Sequence, residues 1–128
     1  MKVKDMPYSR FDCEEAKKAI AAFTKELGEA KTYEEAKAVF LKMEEADKHW
    51  QTMVTLAQVR HSIDTRDKFY EEECNYYNRM LPEVEEYSQQ WNLAMLNSPF
   101  RADFEKEYGP EMTAVLKGYA DTNFNVCD

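Results

Sequence analysis

The chain has two histidines, His49 and His61, each followed or preceded by a carboxylate at a spacing where chemistry can be sought. Glu45 and His49 stand four residues apart, so on a helix they share one face and would offer two ligands to a divalent cation. No third ligand accompanies them, and a solvated charge-assisted pair is the expectation. His61 belongs to the densest polar group of the sequence, Arg60, His61, Asp64, Thr65, Arg66 and Asp67. As chemistry, His61 would be a base oriented by Asp64, but neither a nucleophile nor an oxyanion-hole context lies beside it. As structure, the group reads as a turn between long helices, in which short polar side chains cap amides and Arg60 or Arg66 makes forked bonds to carboxylates or carbonyls. Arg60, His61, Asp64, Thr65 and Asp67 are therefore expected to fix a bend or a docking face and not to catalyse.

The three cysteines, Cys13, Cys74 and Cys127, are widely spaced, with no C-x-x-C pair, as expected of thiols in a reducing cytosol. Cys74 follows Glu71, Glu72 and Glu73, whose negative field disfavours a thiolate. Cys13 is the less ordinary case, since amides at a helix start can stabilise a thiolate, although Glu14 and Glu15 oppose it. The many glutamates imitate a di-iron cage, yet Glu-x-x-His occurs nowhere: Ala46 and Gln58 stand three residues before the histidines. No catalytic, metal or cofactor residue is assigned.

Such side chains need elements to position them, and the apolar spacing predicts helices throughout. Asp12 is a plausible N-cap, with Glu14 and Glu15 in the first turn and Ala16, Ala19, Ile20, Phe23 and Leu27 recurring at helical period until Gly28 closes the helix or starts its exit. Thr32 and Glu35 form a capping-box pair. Beyond them Ala36, Val39, Phe40, Met43, Ala46, Trp50, Met53 and Leu56 or Ala57 make one stripe, with Ile63 a possible extension. Without Pro or Gly from Thr32 to Ile63, this helix would run about 30 residues, roughly 45 Å. After the bend at Asp64 to Asp67, Tyr70, Cys74, Tyr77, Leu81, Val84, Trp91 and Met95 supply the returning stripe, with a kink or break expected just before Pro82. Ser98 is expected to cap a short helix with Pro99 in its first position, and Gly109-Pro110 to stop it. A last helix carries Met112, Val115, Leu116 and Tyr119, weakens through Gly118 and fades in the final residues. Met1 to Arg10 reads as an irregular arm. The expected fold is all-α: a long antiparallel helical hairpin with additional short helices and no sheet, forming one domain over residues 1–128.

Composition sets the outer limits. The 128 residues are 44% hydrophobic, with a formal charge of -8 from 25 acidic and 17 basic side chains. The basic residues are scattered, so neither a phosphate backbone nor an anionic membrane surface is an expected partner. No apolar run is long enough to span a bilayer, and the start lacks the apolar core of a signal peptide. Phe69, Tyr76, Met80 and Tyr87 widen the returning stripe, and the apolar surplus exceeds what one stripe per helix uses. A second apolar face buried against another domain or another chain is expected.

Three stretches, MPYSR near the start, TLAQVRHSIDTRDKFYEEE from Thr55 to Glu73 and MLNSPFRADFEKEYG from Met95 to Gly109, resemble the amino-terminal region of oligoendopeptidase F-like proteins, a branch of the thimet-oligopeptidase-like zinc metallopeptidases. The resemblance spans Lys2 to about Thr122. It implies a helical, non-catalytic amino-terminal part of a larger cytoplasmic peptidase, packed beside a catalytic domain that cuts short peptides and partly covering its channel. Zn2+ would belong to that catalytic domain, held by a His-Glu-x-x-His helix and a later glutamate; no position of this chain matches them. The implied partners are the catalytic domain of the same polypeptide and, for the whole enzyme, oligopeptide substrates. The alternative is a free-standing helical interaction module, acting as a homo-oligomer or with a heterologous partner.

Overall fold

The structure is a computed structural model and describes residues 6–121. Helix α1 (Cys13–Glu29), α2 (Tyr33–Ile63), α3 (Lys68–Leu96), α4 (Arg101–Tyr108) and α5 (Glu111–Asp121) follow one another, with no strand among the described residues. The all-α expectation is borne out, hairpin and short helices included. The hairpin arms, α2 and α3, are 31 and 29 residues long. Such lengths need support along both sides. The third helix receives it, packing against α1, α2 and α5, so α3 is the element the others gather around.

Local signals account for most boundaries. Asp12 caps α1 by accepting the amides of Glu14 and Glu15. Thr32 accepts the amide of Glu35, while the Glu35 carboxylate reaches the Lys31 amide, one residue outside the usual capping box. Gly109, at φ 98°, ends α4 in a conformation that side-chain-bearing residues resist.

Four boundary expectations need correction. Gly28 does not itself close α1, which continues one residue to Glu29 and ends on an extended Ala30, so of its two expected roles the start of the exit is the one that fits. Pro82 does not break α3; the helix runs through it, and the proline ring lies on the exposed side. Ser98 and Pro99 do not open α4: the Ser98 hydroxyl accepts the Phe100 amide in a preceding turn, and the helix starts at Arg101 with no side-chain cap. Gly118 does not weaken α5 in the backbone, which stays helical to Asp121. The fading expected in the final residues, like Cys127, lies outside the described residues.

Ile20, Cys13, Tyr77, Met95 and Phe104 are the largest fully buried side chains. Around Phe104, the rings of Tyr33 and Phe40 approach edge-on at 5.1 and 5.3 Å, which fastens α4 across the start of α2. Ile63 is not part of the stripe, being 73% exposed at the hairpin tip. No helix among the described residues is long and apolar enough to cross a membrane.

Candidate functional site: a buried carboxylate and an acidic groove

The third helix places Tyr70, Glu73 and Tyr77 on one face, at i, i+3 and i+7. Glu73 is the charged residue of the core, 4% exposed. Burying a carboxylate is costly unless it is paired and hydrogen-bonded. The arm before α1 supplies both. Arg10 sets Nε 3.1 Å and Nη2 2.5 Å from Oε2, and its guanidinium lies 4.0 Å above the Tyr76 ring. Tyr8 Oη donates to Oε1 at 2.6 Å.

The Tyr8 and Tyr77 hydroxyls are 2.8 Å apart. Each carries one proton, and that of Tyr8 is spent on Glu73, so Tyr77 donates to Tyr8. Phe11 N–H in turn donates to Tyr77 Oη at 3.3 Å, completing a relay that ends on the carboxylate. The Arg10 guanidinium, helped by the Tyr8 hydroxyl, holds Glu73 below the usual carboxylate range, against the opposing effect of burial. Burial and the adjacent carboxylate push the Tyr8 phenol far up. Neither group is poised to exchange a proton near neutral pH. The constellation fastens the arm to the hairpin, and Phe11, buried and stacked on Tyr77 at 5.2 Å, follows it into the core.

The turn residues fall beside this clasp. The Arg60 guanidinium donates to the Met6 carbonyl oxygen and, at 2.9 Å, to Tyr70 Oη, so it also holds the arm. Asp64 closes α2 and accepts from Arg66 N–H at 3.0 Å, while Asp67 opens α3 by accepting the Phe69 amide at 2.9 Å. Thr65 is exposed in the turn between them. His61 is half-buried, and its Nδ1 has no hydrogen-bond partner among the described residues. Asp64 is thus turned to Arg66 and not to His61.

The remaining candidates stay apart. Glu45 and His49 are both exposed on α2, and among the described residues no three His, Cys, Asp or Glu side chains converge as a metal site would require. Cys13 is fully buried, and burial raises its thiol pKa, which overturns the thiolate alternative. Burial and Glu73 likewise raise the pKa of the Cys74 thiol.

A second feature is a groove of about 600 Å³ between α2, α3 and α5. Trp91, Met95, Met112, Val115 and Leu116 give it an apolar floor, and Glu44, Asp47 and Glu85 stand around it. Burial raises the pKa of all three carboxyls, and the Asp47 charge adds to the effect at Glu44 and Glu85. Gln51 donates to Asp47 at 2.7 Å and partly offsets the shift there. None of the three is in an ion pair among the described residues.

Sequence reasoning overlooked both features. A glutamate on an apolar stripe, with arginine and tyrosine two residues apart in the arm, was the legible sign of the first. The second draws its carboxylates from both arms of the hairpin, Asp47 and Glu85 being 38 residues apart in the chain, and no local pattern joins them.

Comparison with known proteins bears on the whole chain. A family described as the peptidase M3 N-terminal domain matches residues 3–122. A protein from Bacillus anthracis str. Ames, described as an oligoendopeptidase F, superposes with a TM-score of 0.89 at 34% identity over 94% of this chain. A second structure described as oligoendopeptidase F gives 0.92 at 25% identity over 98% of the chain. PZ peptidase A, solved with an inhibitor, gives 0.90 at 24% identity over 95%, a likeness of fold. The chain spans 22% of the length of each of these proteins. No curated protein matches it.

Proposed function

Because the chain belongs to the peptidase M3 N-terminal domain family, we propose that it is the non-catalytic amino-terminal helical domain of a zinc-dependent oligoendopeptidase, a hydrolase of the cytoplasm, and that it restricts the active site to short peptides. The observation that carries this reading is the match over residues 3–122, combined with coverage of 22% of the oligoendopeptidase F chains. A segment that accounts for a fifth of such a protein leaves ample chain to hold the chemistry.

Zinc fits none of the described residues, since Glu45 and His49 lack a third ligand. In the whole enzyme the metal would be held by the catalytic portion, where it would supply Lewis-acid polarisation of the peptide carbonyl and activation of water. The part played by this domain is steric. Two packed helices of 31 and 29 residues form a wall roughly 45 Å long at 1.5 Å rise per residue. Their hydrogen-bonded backbone and clasped arm make it stiff. Beside a catalytic cleft such a wall excludes folded proteins and admits flexible peptides.

The test uses the complete polypeptide and residues 1–128 side by side on a short quenched-fluorescence peptide. The complete polypeptide should cleave it, lose activity to a chelator and regain it with zinc, while residues 1–128 should not cleave it. Zinc-dependent cleavage by residues 1–128 alone, or no cleavage by the complete polypeptide under any metal, would overturn the reading.

A further inference from the structure

We infer that the groove between α2, α3 and α5 is the seat of a basic amphipathic segment supplied by the catalytic portion of the same polypeptide, whose Lys or Arg side chains pair with Glu44, Asp47 and Glu85. The inference rests on the reading under the previous heading and adds which face docks and what chemistry it accepts.

Three observations select this occupant. First, the groove leaves apolar surface open: within its lining Val115 on α5 is 54% exposed, and Met112 and Leu116 beside it are only half-buried. Second, its charge is of one sign. Glu44, Asp47 and Glu85 are in no ion pair among the described residues, and no Lys or Arg lines the groove; Lys48 stands on the neighbouring face of α2, which Glu44 and Asp47 also border. Carboxylates held together on an apolar surface repel one another, and a cationic side chain entering between them relieves that repulsion where water is already partly excluded. Third, a second copy is the wrong partner. With a net charge of -8 and an acidic rim, two copies would bring like charge together. A segment of the same polypeptide meets the groove at a high effective concentration, so a modest interface suffices.

Backbone amide exchange over α5 reads the groove directly, because covering a short helix suppresses its local opening. It is measured in residues 1–128, in the complete polypeptide, and in both carrying Asp47→Lys with Glu85→Lys. We expect exchange in α5 to be at least tenfold slower in the complete polypeptide, with most of that protection removed by the charge reversal or by 1 M salt. Glu15→Lys with Glu29→Lys, on α1, should leave it intact. Thermal unfolding of residues 1–128 with the groove reversal controls for misfolding, and a melting temperature not below that of the parent chain is expected.

Equal exchange of α5 in both forms, with protection on another face, would overturn the groove assignment and leave the domain reading standing. No protection anywhere would overturn both. Protection that grows with the concentration of residues 1–128 alone would identify a second copy and overturn the choice of partner. Equal loss of protection in the α1 control would overturn the pairing.

Discussion

Glu73 decides more than any other single side chain, because the arm and the hairpin meet at its carboxylate. Glu73→Ala leaves Arg10 and Tyr8 without their acceptor. With Arg10 partly exposed, the cost is expected to be about 2–3 kcal/mol, below the full penalty for a broken buried pair. Tyr8→Phe removes one hydrogen bond and should cost about 1 kcal/mol. Urea unfolding measures both. The pH dependence follows from the direction of each shift. Glu73 is held below its ordinary value, so its contribution is complete above the unfolded carboxyl pKa, about 4.3, and is lost as pH falls through the lower folded value. Glu73→Gln should therefore flatten the acid limb of stability. The groove carboxyls act in the opposite sense: with folded pKa values raised, they oppose folding at neutral pH and are relieved as pH falls toward the unfolded values. Asp47→Asn should stabilise residues 1–128 at pH 7 by about 0.5–1 kcal/mol after allowing for solvent screening, an effect visible as a raised melting temperature.

At the scale of elements, legibility depended on whether a boundary is set locally. Asp12, Thr32 and Asp67 are caps whose side chains act within three residues of themselves, and the sequence declares them. Gly28 and Ser98 carry equally local preferences, worth about 1 kcal/mol or less, and packing outweighs them. Leu27 is 3% exposed and Phe104 is 1% exposed, and the chain ends α1 and starts α4 where these side chains reach the core. Pro82 is the sharpest case. A proline inside a helix costs about 3 kcal/mol in an isolated segment, yet α3 continues because Tyr77, Val84 and Trp91 on either side are buried against its neighbours. Pro82→Ala restores an amide donor without touching the core, and should raise stability by about 1–3 kcal/mol. Gly109 is a penalty of the opposite kind. At φ 98° an added Cβ would sit 2.6 Å from Glu111 Oε2, and although that side chain can move, the backbone strain remains. Gly109→Ala should cost about 1–3 kcal/mol in equilibrium unfolding.

At the scale of the whole molecule, the expected surplus of apolar surface is present at identifiable places: Ile63 and Phe69 at the hairpin tip, Leu41 and Val59 on the outer face of α2, and Val115 above the groove. The sequence conveyed that a neighbour was wanted. It did not convey where, because the faces are completed by segments distant along the chain, and the Glu73 clasp and the groove become visible only once the arm and α5 lie against α3. If such a wall flanks the cleft as proposed, it limits substrates by size, since a longer chain must thread past it while a short peptide passes freely. The most direct measurement is the rate of cleavage, by the complete polypeptide, of one scissile sequence placed at the centre of unstructured peptides of about 8, 16, 32 and 64 residues, lengths chosen to bracket the roughly 45 Å wall. If the domain restricts access as proposed, kcat/KM should fall by at least tenfold between the shortest and the longest substrate. A rate independent of length would contradict the account.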